Sequence, residues 1–164
     1  MPNPGQPTIS QGASGDVVRR LQRALRRTPD LAITVDAVFG PQLESAVKNF
    51  QQGAGLVADG IVGPHTWSAL PNGAPMPTLK EGSSGVVVGS LQQLLTNGAS
   101  GQWNATPGPV DGEFGPLTKA SVEAFQAWGS VTVDGVVGDQ TWSISLHAAS
   151  ATLETAVGLN FVID

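Results

Sequence analysis

The chain contains the same seven-residue stretch twice, at positions 35–41 and 110–116. Both copies read Val-Asp-x-x-Phe-Gly-Pro, and both lead into a run that ends in Phe-Gln. Between residues 35–51 and 110–126, eight of seventeen aligned residues are identical. Self-similarity at a fixed offset is the signature of a repeated structural unit, and it restricts the fold more strongly than composition does. The chain is therefore predicted to be a duplicated unit.

A second pair of stretches keeps the same offset of 75 positions. Residues 59–63 read Asp-Gly-Ile-Val-Gly and are followed by Thr-Trp-Ser, and residues 134–138 read Asp-Gly-Val-Val-Gly and are followed by the same tripeptide. The 164 residues thus divide into two small units. A domain of roughly 60 residues buries only about 60% of its unfolded surface and is marginally stable alone, so packing of the two units against each other would be expected to stabilise both.

The apolar spacing inside each unit predicts three short helices. Val17, Leu21 and Leu25 share one helix face, and the second and third helices of the first unit begin at Gly-Pro. Proline suits the first turn of a helix because its missing N–H has no partner there. The second unit repeats this order, with five additional residues between its first helix and Asp111.

These patterns divide the chain into five segments. A loose lead rich in Pro, Gly, Gln and Ser covers residues 1–11, the modules cover 12–70 and 82–146, and a Pro-rich linker of semi-stiff character covers 71–81. The tail, 147–164, has no counterpart in the first unit. Its apolar residues alternate with smaller or polar ones, which predicts a short strand, either lying across a helix or leading into a further domain; they are Val157, Leu159, Phe161 and Ile163.

Composition excludes several classes of protein. The absence of Cys rules out disulfides and thiolate metal sites, and a net charge of −5 does not fit a nucleic-acid-binding surface. The charge is uneven, at +1 for residues 1–75 and −6 for residues 76–164. No run of 18 apolar residues predicts a spanning helix, and the first residues show no signal-peptide pattern.

The order of these motifs resembles the peptidoglycan-binding-domain-1 family, the small three-helix modules attached to many cell-wall hydrolases. The resemblance is carried twice by Ser-Gly before the first helix, Leu-Gln within it, Val-Asp-x-x-Phe-Gly-Pro, Phe-Gln, and Asp-Gly-x-Val-Gly before Thr-Trp. It implies an all-α fold of two tandem modules, peptidoglycan as the ligand, and a secreted or cell-envelope location in a bacterium.

Residues that recur in both units are interpreted as structural. The aromatic residues follow the apolar helix spacing and are assigned to the cores, where aromatics supply much of the hydrophobic stabilisation; they are Phe39, Phe50, Trp67, Phe114, Phe125 and Trp142. The recurring acidic residues are assigned to turns and caps rather than to ligand contact; they are Asp36, Asp59, Asp111 and Asp134.

Two tryptophans outside the repeat are candidates for ligand contact. Trp103 lies in the five-residue insertion, and Trp128 aligns with Gly53 of the first unit. An exposed indole stacks well on the apolar face of a sugar ring, because one side of it is apolar and its N–H is polar. The alternative is that either ring fills a groove between the two modules.

All five arginines lie between positions 19 and 27. Their counterparts in the second unit are uncharged, so the two modules are expected to have unlike surfaces. The arginines form either a solvated helix face or, through Arg20 and Arg23, a site for carboxylates or phosphates of the wall. A third interpretation is that this face meets the acidic second module.

No catalytic group is predicted. His65 and His147 are the only histidines, and a zinc site would lack a sufficient ligand set; no phosphate-binding loop or nucleophile elbow occurs. The sequence therefore predicts a non-catalytic wall-binding module without metal or cofactor. The alternatives are a protein-interaction module acting through the tail, or the binding part of a larger cell-wall hydrolase.

Overall fold

A computed structural model describes residues 3–28, 33–98, 103, 105–144, 146 and 152–163. The chain divides into two units, Met1–Pro75 and Met76–Ile163. The described residues contain seven α-helices and no sheet, which confirms the predicted all-α fold. Among them, no helix has both the length and the apolar character that crossing a membrane requires.

The first unit contains α1 (Asp16–Arg26), α2 (Pro41–Gly53) and α3 (Pro64–Ala69). The apolar face of α1 packs against α2, and the side chain of Trp67 on α3 is only 1% exposed. The core combines helical residues with apolar residues of the turns; its members include Val18, Leu21, Leu25, Phe39, Leu43, Val47, Val62 and Leu70. Phe50 is partly buried against this cluster.

The second unit repeats this arrangement with α4 (Val86–Gly98), α5 (Pro116–Trp128) and α6 (Asp139–Trp142). Its core includes Val88, Leu91, Leu95, Phe114, Val122, Phe125, Val137 and Trp142, most of which correspond to core residues of the first unit. Each unit is therefore built around its own core, as the duplicated sequence predicts.

Isolated antiparallel bridges fasten the turns of each unit to the segment before its first helix. They join Ile9 to Val62, Ser14 to Val38, Leu79 to Val137, and Ser84 to Glu113. The indole N–H of Trp67 donates to the carbonyl of Pro7 at 2.9 Å, and that of Trp142 donates to Pro77 at 3.0 Å. The two units are thus equivalent in these non-helical contacts as well.

The expectation of a loose N-terminal lead is wrong for the described residues from position 3 onward. Asn3 is 1% exposed, and its amide nitrogen donates to the carbonyl of Pro71 at 2.9 Å. Its amide oxygen accepts the backbone N–H of Gly73 at 3.0 Å. Composition favours disorder here, but a buried amide with good partners holds the segment in place.

The end of the chain is helical, so the predicted strand is wrong. Residues Leu153–Val157 form α7, and Leu159–Phe161 form a 3-10 helix; residues 147–151 and 164 lie outside the described part of the chain. Leu153 is fully buried in the core of the second unit, and its backbone N–H donates to the carbonyl of Ile144 at 3.0 Å. The alternating residues Val157, Leu159 and Phe161 belong to two short helical elements, and Val162 interrupts the alternation, so the pattern was too short to identify a strand.

The glycines that precede the Gly-Pro helices have an ordinary extended backbone. Gly40 has φ −101° and ψ −172°, an extended conformation open to any residue. The left-handed positions lie one residue after the aspartates instead, at Gly60, Gly112 and Gly135, with φ between 71° and 75°. Ala37 occupies the same place with φ 67°.

Candidate ligand-binding surfaces

A buried glutamine holds each of the four Asp turns. On α5, Gln126 is fully buried, and its amide oxygen accepts the backbone N–H groups of Asp134 and Gly135 at 3.1 and 3.0 Å. Its amide nitrogen lies 2.9 Å from the Asp134 carboxylate and 2.9 Å from the carbonyl of Val136. A single side chain thus bonds both to the backbone and to the carboxylate of the turn.

The same arrangement occurs four times, and we call each one a glutamine–turn unit. The glutamines are Gln22, Gln51, Gln92 and Gln126, each 0–2% exposed, and they hold the turns at residues 36–38, 59–61, 111–113 and 134–136. Three of the four also lie about one hydrogen-bond length from a threonine hydroxyl; these are Thr66, Thr118 and Thr141. At the remaining position Leu43 replaces the threonine. Each module therefore contains the same helix-and-turn element twice.

The recurring glutamines are visible in the sequence, but their structural role in the turns was not predicted. The dipeptides Leu-Gln and Phe-Gln recur at matching places, and they served only as markers of the repeat. Glutamine has no strong structural preference of its own, so the recurrence beside an Asp-Gly turn is the signal that points to the contact.

The aspartate of every turn accepts the backbone N–H two residues later, at 2.9–3.0 Å. The bond from Gln22, followed by the bond from the Val38 N–H, holds the pKa of Asp36 below its ordinary value. For Asp111 and Asp134 the backbone N–H has the larger effect and the glutamine the smaller, and both lower the pKa. These carboxylates are therefore anionic at neutral pH.

Three clefts of ligand-binding size lie beside these turns. One of about 570 Å³ is next to Asp36, one of about 680 Å³ is next to Asp111, and one of about 410 Å³ is next to Asp59. Small-molecule sites in proteins generally fall between about 300 and 1,000 Å³. The glutamine–turn units thus position the acidic side chains at concave surfaces.

Arg20 and Arg23, the predicted anion-binding candidates, donate hydrogen bonds to other residues of the first unit. The Nε of Arg23, a residue 8% exposed, donates to the carbonyl of Gly73 at 2.7 Å. Arg20 donates to the amide oxygens of Asn3 and Asn72 at 2.9 and 3.0 Å. Arg27 donates to the carbonyls of Asn72 and Ala74. We call this set, Arg20, Arg23 and Arg27 with residues 72–74, the arginine clamp.

The arginine clamp gives a structural role to the charged face of α1 and to the first residues of the predicted linker. Residues 72–74 belong to the first unit, with Ala74 fully buried, whereas Met76 and Leu79 lie in the core of the second. A guanidinium group suits this task because its donors form a rigid fork. Arg23 in particular is oriented towards the protein backbone rather than towards solvent.

Trp103 is 6% exposed, so the expectation of an exposed indole at this position is wrong. Its N–H donates to the carbonyl of Leu95 at 2.9 Å, and its ring meets Phe125 edge-on with centroids 4.8 Å apart. Trp128 is half-buried and lies 5.3 Å from Trp103 and 5.7 Å from Phe125. Trp103 of the insertion therefore fills one side of the core of the second unit.

The recurring aromatic residues lie in the cores. The side chains of Phe39, Phe114, Phe125, Trp67 and Trp142 are 0–2% exposed, and Phe50 is half-buried. The four aspartates lie in the turns just described. Over the described ranges, no group of three or more His, Cys, Asp or Glu side chains is arranged to hold a metal ion.

Comparison with known proteins identifies the kind of module that this geometry represents. The family model described as "Putative peptidoglycan binding domain" matches residues 14–70 and 84–144, well over half of the chain. The chain belongs to this family. The two matched segments contain the helices α1 to α6 and all four glutamine–turn units.

Several relatives have names that describe enzymes of the bacterial cell wall. The chain is 42% identical over 65 residues to a zinc D-Ala-D-Ala carboxypeptidase of Streptomyces albus G. That alignment covers 38% of this chain and 26% of the carboxypeptidase. It is 34% identical over 118 residues to the N-acetylmuramoyl-L-alanine amidase CwlM of Mycobacterium tuberculosis, covering 63% of this chain and 26% of that protein.

A third relative aligns over most of the chain. The N-acetylmuramoyl-L-alanine amidase CwlL of Bacillus licheniformis is 27% identical over 158 residues, which is 81% of this chain and 43% of that protein. The chain thus spans between about a quarter and just under half of the length of these relatives.

Proposed function

We propose that the chain is a non-catalytic module that binds peptidoglycan in the bacterial cell envelope, as a free-standing protein or as the binding part of a larger wall hydrolase. The observation that carries the proposal is the pair of family matches, each covering all three helices of one module. The relatives also support it, because a carboxypeptidase and two amidases each contain a segment similar to part of this chain. A segment common to enzymes named for different reactions is better explained by a shared ligand than by shared catalysis.

Two modules in one chain favour binding to a polymer. If each module binds weakly, engagement of the first raises the effective concentration of the second at the same wall fragment, and the combined affinity exceeds either alone. The interaction-module alternative was favoured by the arginine-rich helix and the tail, and both make contacts inside their own units. The arginines and Leu153 of the tail are explained by contacts inside the units.

Retention on insoluble peptidoglycan tests the proposal directly. The full chain is mixed with purified wall material at moderate salt, sedimented and compared with an unrelated acidic protein of similar size. We expect retention of this chain alone, together with no release of soluble amino groups or reducing sugar ends from the wall. Retention no greater than that of the comparison protein refutes binding, and release of either product refutes the non-catalytic assignment.

A further inference from the structure

One cleft of the first unit differs in chemical character from the surfaces around it. It encloses about 410 Å³ beside the second glutamine–turn unit. Its lining combines aliphatic side chains with one carboxylate and one imidazole; the side chains are Leu56, Val57, Ile61, Pro64, Asp59 and His65. All of these residues lie within the continuous described range 33–98.

The aliphatic wall of this cleft is unusually accessible. Val57 is 79% exposed and Ile61 is 45% exposed. Singly exposed apolar residues are ordinary, but two beside one cleft of ligand-binding size form a surface that gains free energy when a small apolar group covers it.

The carboxylate supplies a charged contact next to that wall. The Oδ1 atom of Asp59 lies 3.2 Å from the Gln51 amide nitrogen and accepts the Ile61 N–H at 3.0 Å. Its Oδ2 atom accepts no hydrogen bond from the described residues, and no Lys or Arg lines the cleft. A ligand with a positively charged donor is therefore favoured there.

The second unit reproduces only part of this surface. At the equivalent positions it has Thr132 for Val57, Asp139 for Pro64 and Gln140 for His65, whereas its glutamine, aspartate and threonine are retained. The turn is thus needed by the fold in both units. Valine stands in the second unit at the positions of Leu56 and Ile61, so the lining residues particular to the first unit are Val57, Pro64 and His65. A feature that the fold does not require is a better candidate for ligand contact.

The aromatic residues favour a peptide over a sugar as the ligand. All nine Phe and Trp side chains lie in the described residues, and each is buried or half-buried. A pyranose ring stacked on a fully exposed indole is therefore not available, whereas methyl-sized aliphatic groups match the Val57 and Ile61 surface.

We propose that this cleft binds the peptide component of peptidoglycan, accepting a short peptide with methyl-sized side chains and a free ammonium group. The proposal rests on the wall-binding function above. The ammonium pairs with the open oxygen of Asp59, and the methyl groups cover Val57 and Ile61.

Titration of the full chain by NMR with three defined probes tests the ligand class. The probes are D-alanyl-D-alanine, its N-acetylated form without the ammonium, and a tetramer of N-acetylglucosamine. We expect the free dipeptide to shift the methyl signals of Val57 and Ile61, and the acetylated form to bind about fivefold more weakly, as expected for loss of one partly exposed ion pair. Shifts caused by the sugar tetramer alone, or no shift with any probe, overturn the proposal.

A triple variant tests the site. Val57→Thr, Pro64→Asp and His65→Gln together give the first unit the residues that the second unit has in the same fold, so the core and the glutamine–turn unit are preserved. We expect the dipeptide shifts to disappear and the unfolding temperature to stay close to that of the parent. Val86→Asp, which replaces a valine 75% exposed on α4 with the residue found at the equivalent position of α1, is the matched control and should leave dipeptide binding unchanged.

Retention on whole wall material separates the two proposals. If the parent chain is not retained, the wall-binding function itself is wrong. If the parent is retained but the triple variant binds the dipeptide as the parent does, the function stands and this cleft is not the site.

Discussion

At the scale of single residues, the four buried glutamines fix the Asp turns to the helices and so define this module. Gln92 is 1% exposed, and its amide contacts the turn at residues 111–113 and the hydroxyl of Thr118. Gln93, beside it on α4, is exposed, and its amide nitrogen donates to the side-chain oxygen of Asn97 at 3.2 Å. The pair offers a direct comparison of a structural and a surface glutamine.

We expect Gln92→Met to destabilise the second unit by about 2–4 kcal/mol, since it leaves several buried polar groups without partners. Gln93→Met should change stability by less than about 0.5 kcal/mol. Hydrogen exchange of the Trp142 indole N–H, which donates within the second unit, measures the effect. Equal protection in the two variants would contradict the structural role.

Ala37 is the one residue of the four turns that carries a Cβ in the left-handed region, with φ 67°. Such a conformation costs a non-glycine residue about 1–2 kcal/mol. Glycine removes that cost but adds about 0.4–1 kcal/mol of unfolded-state entropy. We therefore expect Ala37→Gly to stabilise the first unit by roughly 0.5–1 kcal/mol.

The reverse change at the equivalent position is the control. Gly112 has φ 75°, and an added Cβ would lie 3.1 Å from the carbonyl oxygen of Gly85. Gly112→Ala should therefore destabilise the second unit, as measured by denaturant unfolding of both variants. A loss of stability in Ala37→Gly would show that the turn is not strained.

At the scale of elements, the sequence predicted helices much better than it predicted what holds the segments between them. Apolar spacing and Gly-Pro starts located six helices because both signals are local. The arginine clamp joins residues about 50 positions apart, and Asn3 reaches Pro71 across 68, so no local pattern reveals them. The same limit explains Trp103, whose burial depends on α5 rather than on its neighbours in sequence.

We expect Arg23→Ala to destabilise the first unit by about 1.5–3 kcal/mol, because a buried hydrogen bond from a charged group to Gly73 is lost. Arg19, on the same helix, is 43% exposed and pairs with Asp16 at 2.6 Å. A surface pair of this kind contributes about 0–1 kcal/mol, so Arg19→Ala is the control. Exchange of the Trp67 indole N–H reports the first unit; equal effects of the two changes would contradict the clamp.

The tail contributes to the second unit through α7. Leu153 is fully buried, and truncating a leucine in a core costs about 2–5 kcal/mol, so Leu153→Ala should markedly destabilise that unit. Leu159, 37% exposed in the 3-10 helix, should tolerate alanine. The measurement is again exchange of the Trp142 indole N–H, and an unchanged rate in Leu153→Ala would show that α7 does not stabilise the core.

At the scale of the whole molecule, the acidic turns make stability depend on pH. Asp36, Asp111 and Asp134 have pKa values below the ordinary 3.8 because the folded turns donate hydrogen bonds to the carboxylates. Such groups contribute stability above their unfolded pKa, and the contribution is lost as the pH falls through the folded pKa.

We therefore expect the unfolding temperature to be nearly constant from neutral pH to about pH 5 and to fall below about pH 4, through the carboxylates' titration range. Thermal unfolding followed by circular dichroism over this range checks the expectation. The triple change of these three aspartates to asparagine removes the titrating groups and should flatten the acid branch. If the unfolding temperature of the variant falls with decreasing pH as steeply as that of the parent, groups other than these three aspartates cause the loss of stability in acid.

Three of the four turns contain the dipeptide Asp-Gly, a sequence prone to chemical ageing when the glycine nitrogen attacks the aspartyl side chain and closes a succinimide ring. In this protein the glutamine oxygens hold the nitrogens of Gly60, Gly112 and Gly135 at 2.9–3.0 Å. The attacking atom is therefore engaged in a hydrogen bond, and one carboxylate oxygen is fixed as well. Formation of isoaspartate at these sites requires the turn to open first, so the contact that shapes the module also protects its covalent backbone.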